Sequence, residues 1–171
     1  MSKPLVIVES PTKVKTISKI LGDKYIVKSS VGHIRDLPRN TKSIPSTYKK
    51  EDILWGAVKP ENYENIYVIP DDRKKIVNEL KSLADNASDV YLATDDDREG
   101  EAIAYHLKEA LELKKEPKRI KFNEITDTAV LNAIKNPETI DVGKFKSYEA
   151  RRTLDRMIGY EISPKLRDLG G

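Results

Sequence analysis

The sequence predicts an α/β fold: a mostly parallel sheet flanked by helices, with a helical appendage at its C-terminal end. Short apolar runs rich in β-branched residues alternate with helical patterns, which is the signature of strand–helix–strand units. The runs are continuous rather than polar on every second residue, as strands buried on both faces require. After Asp141 the pattern becomes wholly helical.

Leu5-Val6-Ile7-Val8 is the first such strand. Ser10-Pro11 then opens a helix, serine as the cap and proline at the first helical position. Val14, Ile17, Ile20 and Leu21 form its apolar stripe, and Gly22 ends it. Tyr25-Ile26-Val27 reads as a second strand, followed by Gly32-His33-Ile34. Residues 35–62, with Pro38, Pro45 and a polar stretch between them, read as a loop or insertion. Asn65 to Ile69 has strand character, and Asp71 or Asp72 starts a helix with Ile76, Leu80 and Leu83 facing inward. Asp89 to Thr94 is a strand ending in an acidic run, and the helix after it runs from Gly100 to about Leu113. Arg119-Ile120-Lys121-Phe122 is the last strand, and Thr126 caps a helix through Ile134. Beyond Asp141, Phe145, Tyr148, Leu154 and Ile158 fall on one helical face. The expected division is residues 1–137 as one domain and 138–171 as the helical start of another.

A chain of 171 residues is long enough to bury a real core. With 35% charged residues and no apolar run near the ~20 residues of a membrane span, a soluble protein is expected. The first residues show no signal-peptide layout, so the expected location is the cytoplasm. The absence of cysteine excludes disulfides and thiolate zinc sites. Charge is unevenly spread. Residues 1–50 hold 11 Lys/Arg against 3 Asp/Glu, and residues 51–113 hold 7 against 16. A basic first segment suits a polyanionic partner, and an acidic middle suits a cation site or a solvated face.

Glu9 directly follows the first strand, and Asp95 and Asp97 directly follow another. Ligands of an open parallel sheet collect beyond the carboxyl ends of its strands. Side chains alternate along an extended segment, so Asp95 and Asp97 can point one way and Asp96 the other. Converging carboxylates repel unless neutralised. Mg²⁺ accepts a few such oxygens, keeps water or phosphate in its other positions, and stabilises charge on reacting oxygens. Glu99 is a further ligand or a supporting group, and Lys13, one turn after Glu9, is placed to neutralise a phosphate. The competing reading of the run is an acidic turn that caps a helix.

Three segments then resemble, in order, the toprim motifs of type IA topoisomerases, in the bacterial DNA topoisomerase I branch. They are Val6-Ile7-Val8-Glu9-Ser10-Pro11-Thr12-Lys13, Ser30-Val31-Gly32-His33-Ile34-Arg35-Asp36-Leu37-Pro38, and Ala93-Thr94-Asp95-Asp96-Asp97-Arg98-Glu99-Gly100-Glu101-Ala102-Ile103-Ala104. Phe122-Asn123-Glu124-Ile125-Thr126 and the block from Glu149 to Tyr160 resemble the next two. The resemblance implies a Rossmann-like toprim fold followed by the start of a DNA-binding gate domain. It implies a catalytic set of Glu9, Lys13, Asp95, Asp97 and Glu99, with Mg²⁺ on Glu9, Asp95 and Asp97. Glu9 would also give a proton to the leaving 3′ oxygen, and Lys13 would approach the scissile phosphate. His33, Arg151, Arg152 and Asp155 match positions that contact single-stranded DNA.

The implied reaction is ATP-independent relaxation of negatively supercoiled DNA by transient cleavage of one strand. The family's nucleophilic tyrosine lies beyond the region matched here, and Tyr160 is not in its setting. The chain is therefore expected to be an incomplete, monomeric part of the enzyme, inactive without the rest of the topoisomerase chain. Two departures stand out: the end from Ser163 to Gly171, and Pro70-Asp71-Asp72-Arg73 where the family more often has Pro-Gly-Lys. The alternative classes are a stand-alone toprim nuclease or primase-like enzyme, and a non-catalytic nucleic-acid-binding module.

Overall fold

The computed structural model describes residues 2–122 and 124–165. Asn123 of the fourth resembling block, and residues 166–171 of the helical appendage, lie outside the described residues. The regular elements are β1 (Leu5–Val8), α1 (Pro11–Leu21), β2 (Ile26–Ser29), α2 (Asp71–Asn86), β3 (Val90–Ala93), α3 (Arg98–Ala110), β4 (Lys118–Ile120), α4 (Asp127–Lys135) and α5 (Val142–Met157). The strands form one sheet in the order β2-β1-β3-β4, every pair parallel. The fold is thus α/β with a parallel sheet flanked by helices, as expected.

Two compact units divide the chain. One comprises the residues up to Arg35 together with Ile69–Phe145, and the other comprises Asp36–Val68 together with the residues from Lys146 onward. In the first unit β1 is fully buried along its length, which explains its unbroken apolar run. Its side chains alternate between two cores. Leu5 and Ile7 join Leu92, Val77, Leu80, Ile103 and Leu107 on one face of the sheet. Val6 and Val8 join Val27, Tyr91, Ile17, Leu21 and Val130 on the other. Each fully buried aliphatic side chain contributes about 1.5–3 kcal/mol, so the sheet is clamped from both faces.

Local chemistry sets the helix ends. Ser10 occupies the position before α1 without making a side-chain cap bond, and Pro11 supplies the first turn. Gly22, at φ +62°, ends α1 in a conformation that favours glycine. Asp97 caps α3 by accepting from Gly100 N at 2.6 Å, and Thr126 caps α4 by accepting from Ala129 N.

Two expectations are corrected. The Asn65–Ile69 segment adds no strand to the sheet. Asn65 and Val68 make isolated antiparallel bridges, to Val58 and Asp36, inside the second unit. The face predicted for α5 also fails beyond its first turns. Phe145 is buried against Tyr105, ring centroids 3.8 Å apart, whereas Leu154 and Ile158 are 50% and 38% exposed. In the second unit α5 makes polar contacts: Arg152 pairs with Asp36, and Arg156 donates to Pro38 O and Trp55 O at 2.8 and 2.9 Å.

Candidate functional site

The register of the sheet builds the site. Val8 lies opposite Ala93, so β1 and β3 end level with each other. Glu9 is the first residue beyond β1, and Asp95 the second beyond β3. Between their carboxylates lies Lys13, one turn into α1. Its Nζ donates to Glu9 Oε1 and, at 2.5 Å, to Asp95 Oδ1. Glu9, Ser10, His33, Asp95, Asp97 and Glu99 line an open cleft of about 400 Å³.

The three members of this cluster differ in electrostatics. Burial pushes the Glu9 carboxyl above its usual pKa, and the hydrogen bond from Lys13 only partly opposes it. Burial acts the same way on Asp95, but there the hydrogen bonds from Lys13 and Glu9 win and hold it below the carboxylate range. Burial pulls Lys13 down, while its bonds to Asp95 and Glu9 outweigh this and raise it. The pair therefore divides its charge: Asp95 keeps the negative charge, and Glu9 is the carboxyl that takes a proton more readily.

The consecutive aspartates take three different partners. Asp95 meets Lys13, and Asp97 is bound to the start of α3. Asp96 turns away to Lys144 Nζ at 2.7 Å and Lys121 Nζ at 3.8 Å, and the Lys144 hydrogen bond holds its pKa low. Glu99 is largely exposed and meets His33 Nε2 at 3.3 Å. Gly100 packs so closely on the Asp95 backbone that a Cβ there would lie 2.2 Å from Asp95 O. Arg151, Arg152 and Asp155 belong to the second unit. There Arg151 and Asp155 are exposed and 3.9 Å apart, and Arg152 is engaged by Asp36.

Among the described residues, no three His, Asp or Glu side chains are grouped to hold a metal ion by themselves. The donors nevertheless suit a hard cation of the kind that takes one or two carboxylates and completes its shell with water and phosphate. The ammonium of Lys13 already occupies a cation position between Glu9 and Asp95.

Sequence reading missed two residues of the site's support. Arg119 and Glu101 are fully buried, and Arg119 Nε donates to Glu101 Oε2 at 3.3 Å. The available signal was an arginine inside an apolar strand pattern, and an acid on the inward face of α3.

The chain is similar to known proteins over most of its length. The model of the Toprim domain matches residues 4–125. DNA topoisomerase 1 of Mycolicibacterium smegmatis is 48% identical over 165 residues, covering 95% of this chain and 17% of that protein. DNA topoisomerase 1 of Synechocystis sp. is 46% identical over 169 residues, covering 97% and 18%. The solved structure of full-length topoisomerase I from Thermotoga maritima is similar with a TM-score of 0.81 and 39% identity, over 95% of this chain and 26% of that one. The chain thus spans less than a fifth of the length of these curated relatives.

Proposed function

The chain belongs to the Toprim domain family, and from that premise we propose that it is the toprim portion of a type IA DNA topoisomerase. Its part is to hold the scissile phosphate and protonate the leaving 3′ oxygen during Mg²⁺-dependent, ATP-independent relaxation of negatively supercoiled DNA. Residues 1–137 are read as the toprim domain and 138–171 as the start of the helical gate domain. The rest of a longer chain would supply the tyrosine that attacks the phosphate, so this polypeptide alone is inactive. No described helix is long and apolar enough to cross a membrane. The reading assigns the protein to the cytoplasm, as a monomer acting on single-stranded segments of DNA.

The observation that carries this is the meeting of Glu9 and Asp95, 86 positions apart, at one ammonium beyond two neighbouring strands. Glu9 and Asp95, joined by Asp97 once it releases Gly100 N at the start of α3, would hold Mg²⁺, which when bound offsets negative charge on the phosphate oxygens. Asp95, kept ionised, supplies the charge that attracts the cation. Glu9, whose burial favours the protonated form, gives its proton to the 3′ oxygen as the P–O bond breaks and recovers it on rejoining. Lys13 faces both carboxylates and neutralises the phosphate as it arrives, and Glu99 with His33 borders the cleft. His33, Arg151, Arg152 and Asp155 would contact the single strand.

Mg²⁺ titration and binding of a short single-stranded oligonucleotide, each compared with Asp95→Asn, test the reading. Mg²⁺ binding that Asp95→Asn weakens, without plasmid relaxation, supports it. Steady relaxation by this chain alone would overturn the need for a tyrosine elsewhere. Mg²⁺-dependent nicking abolished by Asp95→Asn would instead identify a stand-alone nuclease. Salt-sensitive DNA binding indifferent to Mg²⁺ and to loss of Glu9 would identify a simple binding module.

A further inference from the structure

We propose that Arg119 is the positioning residue of the acidic site, its guanidinium gripping the backbone between β3 and α3 so that Asp95 and Asp97 stay over the cleft. What the site binds rests on the topoisomerase reading, whereas the grip itself rests on geometry alone. The β3–β4 ladder ends where Ala93 meets Ile120. Just beyond, Arg119 Nη1 donates to Thr94 O at 2.9 Å and Nη2 donates to Asp95 O at 2.9 Å. Nη1 also reaches Leu92 O at 3.2 Å and Ile120 O at 2.5 Å. A rigid, permanently charged fork thus takes over where strand pairing stops.

The fork is itself fixed from behind. Its Nε donates to Glu101 Oε2, and Glu101 Oε1 accepts from Asp141 N at 2.6 Å. The Arg119 backbone exchanges hydrogen bonds with Glu138 at 2.9 and 2.7 Å. Thr94 Oγ1 closes the loop by donating to Gly100 O at 2.6 Å. If filling space were the only task, apolar residues would do it at least as well, because a buried ion pair seldom adds net stability. The pair makes sense as a device that specifies the path of one loop.

The test compares the wild-type chain with Arg119→Lys, Arg119→Met and Glu101→Gln. Folding is checked by circular dichroism, loop order by amide hydrogen exchange, and the site by titration with Mg²⁺ alone. Local opening is read directly by exchange. In Arg119→Lys, which keeps the charge and loses the fork, exchange at residues 94–100 should accelerate roughly tenfold while β1 and α1 stay within about twofold. Mg²⁺ affinity should fall about tenfold or more, the range for removing a group that orients ligands. Glu101→Gln, which keeps an acceptor for Asp141 N, should show the same pattern more weakly, and it carries the test if the Arg119 variants do not fold. Unchanged exchange at 94–100, or uniform acceleration across the sheet, overturns the proposal. Selective acceleration in a chain whose wild type does not bind Mg²⁺ would support the grip and discard the metal reading.

Discussion

Lys13 Nζ lies 2.5 Å from Asp95 Oδ1 while also donating to Glu9, so one lysine bridges two carboxylates that follow separate strands. An arriving divalent cation has to compete with that ammonium. Lys13→Met should therefore bind Mg²⁺ more tightly than wild type, roughly twofold to fivefold, since losing a partly exposed charge contact is worth up to about 1 kcal/mol. Asp95→Asn should bind it more weakly. Calorimetric titration of both variants checks the signs, and weaker binding by Lys13→Met would show that the lysine does not compete for the position.

Gly100 answers to a different constraint. A Cβ there would lie 2.2 Å from Asp95 O and 2.9 Å from Asp95 N and C, all backbone atoms that no rotamer change can move. Gly100→Ala should cost about 1–3 kcal/mol, the usual penalty of overpacking. Denaturant unfolding measures the loss, and Mg²⁺ affinity should fall with it because Asp95 is the residue displaced.

Burial pushes the Tyr67 phenol well above the usual tyrosine value. A group whose folded pKa is raised contributes stability that is complete below its unfolded pKa, about 10 for tyrosine. That contribution drains away as pH rises toward the folded value. Tyr67 should therefore ionise together with unfolding rather than before it. Tyrosinate absorbance of wild type minus Tyr67→Phe, followed alongside circular dichroism, tests this. Ionisation near the ordinary value in a chain that keeps its fold would contradict it.

In the second unit, Arg156 donates to the carbonyls of Pro38 and Trp55 and lies over the Tyr160 ring. Hydrogen bonds to a charged group contribute about 1.5–3 kcal/mol each, net of exchange with water. Arg156→Ala should accordingly loosen the 36–68 segment and speed limited proteolysis there, while cleavage within Met1–Arg35 stays unchanged. Lysine should not rescue it, because a single ammonium cannot reproduce the fork.

Much of this was legible residue by residue. Continuous apolar runs marked β1 and β3 because both are buried on two faces, and punctuation by Pro11 and Gly22 bounded α1. The convergence of Glu9 and Asp95 followed from strand ends in a parallel sheet. Asn65 to Ile69 misled because β-branched residues report an extended backbone, not the partner it finds. Leu154 and Ile158 misled because periodicity marks a face without saying whether anything covers it. Arg119 and Glu101 escaped notice because charge normally signals solvent, and only the neighbours of a fully buried pair reveal its use.

The parallel pairing of β1 with β3 has a kinetic consequence. Every contact between Glu9 and Asp95 closes a chain loop of 86 positions. Loop closure on that scale precedes any return from native contacts, and such non-local topology slows folding. No local segment can preform the acidic cluster, so site assembly and the global folding transition should share one rate-limiting event.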